Sequence, residues 1–136
     1  MEFITEIKVR FGETDLLGHV NNVSYFSYLE QARIEFFKEL TPYSKTKDWS
    51  YILASVKCDF LAQAYFDQHL KVITEVSRIG NKSFDLYQPI YDTETGKKIA
   101  EGNSTIVYFD FTEQKSKQIP DNVRLKLENY EVSLNR

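Results

Sequence analysis

The chain has 136 residues, of which 42% are hydrophobic, 15% aromatic and 27% charged. That is the size and composition of one ordinary globular domain (1–136), able to bury a core without covalent staples. With 17 basic and 20 acidic residues the formal net charge is −3, which argues against broad electrostatic capture of nucleic acid.

The single cysteine, Cys58, excludes an intrachain disulfide and any multi-cysteine zinc site. His19 and His69 are the only histidines and form no spaced ligand pair, so no metal is expected. Met1 to Glu6 lacks a basic stretch followed by an apolar one, and no apolar run approaches the roughly 20 residues of a membrane span. A cytoplasmic protein without membrane insertion is expected.

Residues 3–11 alternate, with Phe3, Thr5, Ile7, Val9 and Phe11 on one side and Glu6, Lys8 and Arg10 on the other. This predicts a half-buried strand. Residues 12–21 break the pattern with turn and cap residues: Gly12, Thr14, Asp15, Gly18 and Asn21. A helical period follows through Phe26, Leu29, Ala32, Phe36, Phe37 and Leu40. Asn21 is placed to cap it, and Pro42 predicts its end near Leu40.

A loop from Tyr43 to Trp49 leads to residues 52–60, which place Ile52, Ala54, Val56, Cys58 and Phe60 on one face of a strand. Residues 69–79 and 83–92 are β-branched and aromatic-rich, and Gly80-Asn81 between them signals a hairpin. Thr93 to Gly96 forms the next turn, 98–110 the last long strand, and Pro120-Asp121-Asn122 opens a helical tail striped by Val123, Leu127 and Tyr130. The expected class is α+β, one long helix on a curled antiparallel sheet of about five strands. Apolar residues on the sheet's other face suggest pairing with a second copy.

The chemistry is concentrated between Asp15 and Tyr25. An acid stands in a loop that ends at a helix N-terminus, where backbone N–H groups lack intrahelical partners. Such donors suit an anion or a developing oxyanion. A nearby carboxylate can act as nucleophile or general base, and the two together make a minimal hydrolase. The same residues also serve as plain turn and cap residues: an Asx-turn at Asp15, packing at His19, a cap at Asn21. The pattern alone leaves both readings open.

The run Phe11-Gly12-Glu13-Thr14-Asp15-Leu16-Leu17-Gly18-His19-Val20-Asn21-Asn22, followed by Tyr25-Phe26-Ser27-Tyr28-Leu29-Glu30-Gln31-Ala32-Arg33, resembles the 4-hydroxybenzoyl-CoA thioesterase family of hotdog proteins. The resemblance continues at Asp59-Phe60-Leu61, at Gly80 to Phe84, at Ala100-Glu101-Gly102 and near Ile119-Pro120. It implies a hotdog fold that dimerises through its sheets, as a homodimer or homotetramer. It implies hydrolysis of an acyl-CoA substrate with no cofactor, coenzyme A being part of the substrate. The family's catalytic acid falls on Asp15, and its carbonyl-polarising amide on the backbone N–H of Asn22. His19 is expected to orient the loop or assist proton transfer, and Gly18, Val20 and Tyr25 to lie at the substrate. Glu30 and Arg33, three apart on the helix, are expected to pair.

Ala62-Gln63 and Phe66-Asp67 depart from the family's usual Arg-Pro and Gly-Asp, in the loop joining two strands. Lys57, Lys82 and Arg78 are candidates for the phosphates of coenzyme A. Two other classes remain: a hotdog module that binds acyl-CoA without turnover, and a dehydratase or hydratase on acyl thioesters. No Gly-x-Ser-x-Gly elbow or phosphate-binding glycine loop is present.

Overall fold

The structure is a computed structural model that describes residues 1–42 and 49–132. The expected loop from Tyr43 therefore lies outside the described residues, apart from Trp49. Strand β1 runs over Phe3–Lys8, helix α1 over Asn22–Leu40, and strands β2 to β5 over Tyr51–Phe60, His69–Ile79, Ser83–Asp92 and Lys98–Asp110. A two-residue strand β6 (Lys115–Ser116) and helix α2 (Asp121–Asn129) complete the order. The sheet is antiparallel with strand order β1-β3-β4-β5-β2, and β6 adds to β5. One long helix against this sheet is the expected hotdog architecture.

α1 begins where expected. Asn21 has extended backbone and its Oδ1 accepts the Val23 N–H at 2.9 Å, satisfying one of the helix's unpaired donors. At the other end Thr41 leaves helical geometry (φ −135°) just before Pro42. The buried stripe is Tyr25, Tyr28, Leu29, Ala32, Arg33, Phe36, Phe37 and Leu40. Phe26, expected on this stripe, is exposed, with its ring edge-on to Phe60 at 6.2 Å. The rest of the expected stripe is buried, and at its start Tyr25 takes the place of Phe26. Both keep a helical step to Leu29, but Tyr25 lies nearer the direction of Leu29, Ala32 and Phe36, and Phe26 falls toward the stripe's edge.

The helix lies directly on the sheet. Gly102 faces Leu29 so closely that a Cβ there would sit 2.6 Å from Leu29 Cδ1. Gln88, 1% exposed, donates from Nε2 to Thr74 Oγ1 at 3.0 Å and to the Leu29 carbonyl at 3.4 Å. The core falls into two clusters. One gathers Tyr25, Leu29 and Ala32 with Ile7, Leu70, Val72 and Ile90; the other gathers Phe36, Phe37 and Leu40 with Tyr51, Phe84, Ile106 and Leu127. Each fully buried large side chain contributes about 1.5–3 kcal/mol of transfer free energy. Val123, Leu127 and Tyr130 form the predicted stripe of α2, all buried. Beyond α2 the chain bonds back to β3, with Val76 N–H to the Tyr130 carbonyl and Val132 N–H to the Val76 carbonyl.

Three local expectations are corrected. The first strand ends at Lys8, and Phe11 to Glu13 form a 3-10 turn with Phe11 exposed against Phe66. Glu13 Oε1 accepts the Arg10 N–H at 2.8 Å, which turns the chain before Phe11 can continue the strand. In β2 the single apolar face is broken by a bulge between Leu53 and Ser55. Val56 pairs with Ser104 and Ile52 with Val107, an odd offset that puts Ile52 on the opposite face from Val56, Cys58 and Phe60 and leaves Ala54 exposed. Finally, no ion pair joins Glu30 to Arg33 among those of the described residues. Arg33 is buried, and its Nη1 has no hydrogen-bond partner. Burial draws the guanidinium pKa down, and the Glu30 charge opposes it only in part.

Candidate active site

Residues 14–20 form a closed loop. Thr14 pairs with Val20 in an antiparallel bridge. Inside it, Asp15 N–H donates to the His19 carbonyl at 2.8 Å, and Gly18 N–H to the Asp15 carbonyl at 3.0 Å. Gly18 has φ +80°, a region L side chains avoid. The Asp15 carboxylate folds over this turn: Oδ1 accepts the Leu17 N–H at 2.9 Å and the His19 N–H at 3.1 Å. The Asx-turn is thus real, and it also aims the acid. Leu16 and Leu17 are pushed into solvent.

The loop is anchored on two sides. Val20 N–H donates to the Ala64 carbonyl at 2.8 Å, and His19 pairs with Tyr65 both through backbone and through an edge-on ring contact at 5.2 Å. On the other side stands Glu13. Its carbonyl accepts the Asn21 N–H at 2.8 Å, and its Oε1 accepts the Tyr28 hydroxyl at 2.8 Å. Burial, followed by the Glu13 carboxylate, raises the Tyr28 pKa and keeps that hydroxyl protonated. Glu13 therefore ties the Asp15 loop to the second turn of α1.

These ties bring Asp15, His19, Val20, Asn21, Asn22 and Gln63 around one open cleft of about 280 Å³. Asn22 is the first residue of α1, so its N–H lies ahead of the first intrahelical bond. A second cleft of about 320 Å³ adjoins it, lined by Asn22, Tyr25, Phe60, Leu61, Ala62 and Gln63. Asn22 and Gln63 belong to both. An acid with a helix-start amide is thus placed beside a surface rich in aromatic and aliphatic side chains. Such a pair can add an oxygen nucleophile, or a water activated by the acid, to a carbonyl held at the amide.

Tyr25 is among the residues that line the second cleft, and its hydroxyl is buried. Burial raises its pKa, and the nearby Ala64 amide works against that rise. Gly18 shapes the loop rather than lining either cleft. Lys57 does not join the site within one chain. It is on the sheet face turned away from α1, in a different cleft with Asn103 and Thr105, and its ammonium lies 3.7 Å from Asp59. Lys82 is exposed in the β3–β4 turn, at the opposite end of β3 from the Ala64–Tyr65 segment. Arg78 is committed to Asp85 at 2.8 Å.

The residues that sequence reasoning missed are Glu13, Tyr28 and Gln63. Glu13 and Tyr28 lie inside the recognised motif, but their contact spans 15 positions and no local period reveals it. Gln63 was visible only as a departure from the family's pattern. Cys58 carries no nucleophile: burial, then the charges of Asp59 and Glu101, push its thiol up to about 11. No cluster of metal-ligating side chains occurs among the described residues. None of their helices is long and apolar enough to cross a membrane.

The chain is similar to YsmA of Bacillus subtilis (strain 168), an uncharacterized protein, with 39% identity over 85 residues, 62% of this chain and 58% of that protein's length. It is 26% identical over 126 residues to the long-chain acyl-CoA thioesterase FadM of Escherichia coli (strain K12), covering 91% of this chain and 96% of FadM. A predicted thioesterase from Bacillus stearothermophilus superposes with a TM-score of 0.91 at 34% identity, covering 98% of both chains. The thioesterase-like superfamily profile matches residues 9–127, a span that includes the Asp15 loop, all of α1 and the long strands β2 to β5, and so the chain belongs to the thioesterase-like superfamily.

Proposed function

We propose that the protein hydrolyses acyl-CoA thioesters to the free acid and coenzyme A. The observation that carries this reading is the shared cleft of Asp15 and the Asn22 amide, opening onto the apolar surface of Tyr25, Phe60 and Leu61. The thioester carbonyl oxygen rests against the Asn22 N–H, and the acyl chain runs along the second cleft. Asp15 then attacks the carbonyl carbon, expelling the thiolate and leaving an acyl-aspartyl anhydride that water hydrolyses. In the alternative route Asp15 takes a proton from water, which attacks in its place. Either way one water is consumed, and one acid and one thiol are released.

In this reading His19 holds the loop through Tyr65, Gly18 gives the turn its shape, and Val20 and Tyr25 wall the substrate. No cofactor or metal takes part. The working form is a homodimer or homotetramer in the cytoplasm. Support comes from the outer edge of β2, which no described strand covers, and from exposed Leu16, Leu17, Phe60 and Leu61 around the site. Lys57 and Lys82 would meet coenzyme A phosphates only from a second copy.

The test is thiol release from a panel of acyl-CoAs by wild type and Asp15→Asn, which keeps size and removes the charge. The expected loss is about two orders of magnitude or more in kcat. Equal activity of the two would refute the role of Asp15. Saturable binding without turnover by wild type would favour a non-catalytic acyl-CoA module, and hydration of an enoyl thioester a hydratase.

A further inference from the structure

Gln63 stands in the short segment between β2 and β3 and is the one side chain, besides that of Asn22, that borders both clefts. It is exposed, and no hydrogen bond is made by its carboxamide among the described residues. A primary amide offers two N–H donors and a carbonyl acceptor, so it is matched to another amide, which presents one donor and one acceptor. Its neighbours fix where such a partner would lie. On one side are Tyr25, Phe60 and Leu61, suited to an acyl chain; on the other are Asp15, His19 and Asn21, a polar surface. With the thioester carbonyl at Asn22 and its acyl chain in the apolar cleft, the thiol arm must leave across the polar one, past Gln63.

We infer that the Gln63 carboxamide binds the first amide of a pantetheine thiol arm, making it a substrate-binding residue that selects amide-bearing thioesters. This rests on the thioesterase reading above. The chemistry fits in length: that amide nitrogen is three bonds from the sulfur, about 4 Å by ordinary bond lengths. It is therefore within reach of a residue that walls the same cleft as the reacting carbon. The amide is common to coenzyme A and to the pantetheine arm of an acyl carrier protein.

The experiment compares one acyl group on two small thiols, N-acetylcysteamine, which keeps the amide, and pentanethiol, which lacks it. Wild type, Gln63→Met and Asp15→Asn are assayed on both, with circular dichroism confirming the fold. Methionine matches the length of glutamine without its donors or acceptor. Wild type should prefer the N-acetylcysteamine ester by about tenfold or more in kcat/KM, through KM. Gln63→Met should erase that preference, bringing the ratio of kcat/KM on the two esters to about one. The same variant is run on acyl-CoA and on the acyl carrier protein thioester, and a raised KM on either one supports the assignment and marks that carrier as the source. An unchanged preference in Gln63→Met, with Asp15→Asn inactive on both esters, overturns this inference alone. Full activity of Asp15→Asn overturns the thioesterase mechanism beneath it.

Discussion

Replacing Gly102 by alanine tests how closely the helix is seated on the sheet. The added Cβ would lie 2.6 Å from Leu29 Cδ1 and 3.0 Å from Cδ2, well inside van der Waals contact. Leu29 is fully buried, and its carbonyl is tied to Gln88, so neither side chain nor helix yields freely. Overpacking of this kind costs about 1–3 kcal/mol. Leu29→Ala alone should cost about 2–5 kcal/mol through the cavity it leaves. In the double variant the methyl added by Gly102→Ala occupies part of that cavity and meets no leucine. Its cost should fall short of the sum of the single costs by at least about 1 kcal/mol, since residues in contact do not behave additively. Guanidinium unfolding at equilibrium reads all four proteins, with unchanged slopes confirming a common unfolding reaction. Additivity within about 0.5 kcal/mol would refute the contact argument. Gly102→Ala should also lower kcat while it remains folded. Any lift of α1 moves the Asn22 amide away from Asp15, and a displacement of about 1 Å can cost on the order of a hundredfold.

Other outcomes follow from the same geometry. Glu13→Ala should reduce kcat by about tenfold or more by freeing the loop from Tyr28, whereas Glu13→Gln, still an acceptor for the Tyr28 hydroxyl and the Arg10 amide, should retain most of it; equal defects in both would show that the charge, not the tie, matters. Cys58, pushed up to about 11, should be alkylated by iodoacetamide at pH 8 about a hundredfold more slowly in the native protein than in guanidinium. Native and unfolded rates that match would refute its burial. Arg78 hydrogen bonds, helped by Thr105, hold the Asp85 pKa below its ordinary value against the opposing effect of burial. A depressed carboxylate pKa stabilises the folded state at pH above the unfolded value, about 3.9, and that contribution is lost as pH falls through the folded value. Arg78→Ala should therefore cost up to about 1 kcal/mol at pH 7, since the pair is partly exposed. The gap to wild type should close in unfolding curves taken at progressively lower pH, and a gap independent of pH would refute the assignment.

Local rules carry the reading of the chain a long way. The Asn21 cap, the stop before Pro42, the Gly80-Asn81 turn and the α2 stripe all depend on neighbours a few positions apart, and each is seen in the structure. The errors lie where a distant partner decides. Phe11 leaves its strand because Glu13 caps the turn, with Phe66 on the far side of the sheet connection receiving the ring. Ile52 changes faces because a bulge against β5 absorbs Ala54, and a bulge has no periodic signature in the sequence. The charge of Arg33 suggests a surface pair, yet its position on the stripe decides its burial. For the candidate site, the motif holds Asp15, His19 and Asn22 together. The Glu13–Tyr28 tie and the double exposure of Gln63 needed the fold, and the lysines chosen for their charge lie elsewhere on it.

The Asp15 loop has one further consequence. Both amides that reach the carboxylate donate to the same atom, Oδ1, and no hydrogen bond reaches Oδ2 among the described residues. Two chemically equivalent oxygens are thereby made distinct. A half-turn about the Cβ–Cγ bond would exchange them only after both N–H bonds broke, so the side chain keeps one face toward its own loop and presents the other to the cleft. Any bond formed by this carboxylate would be made through Oδ2.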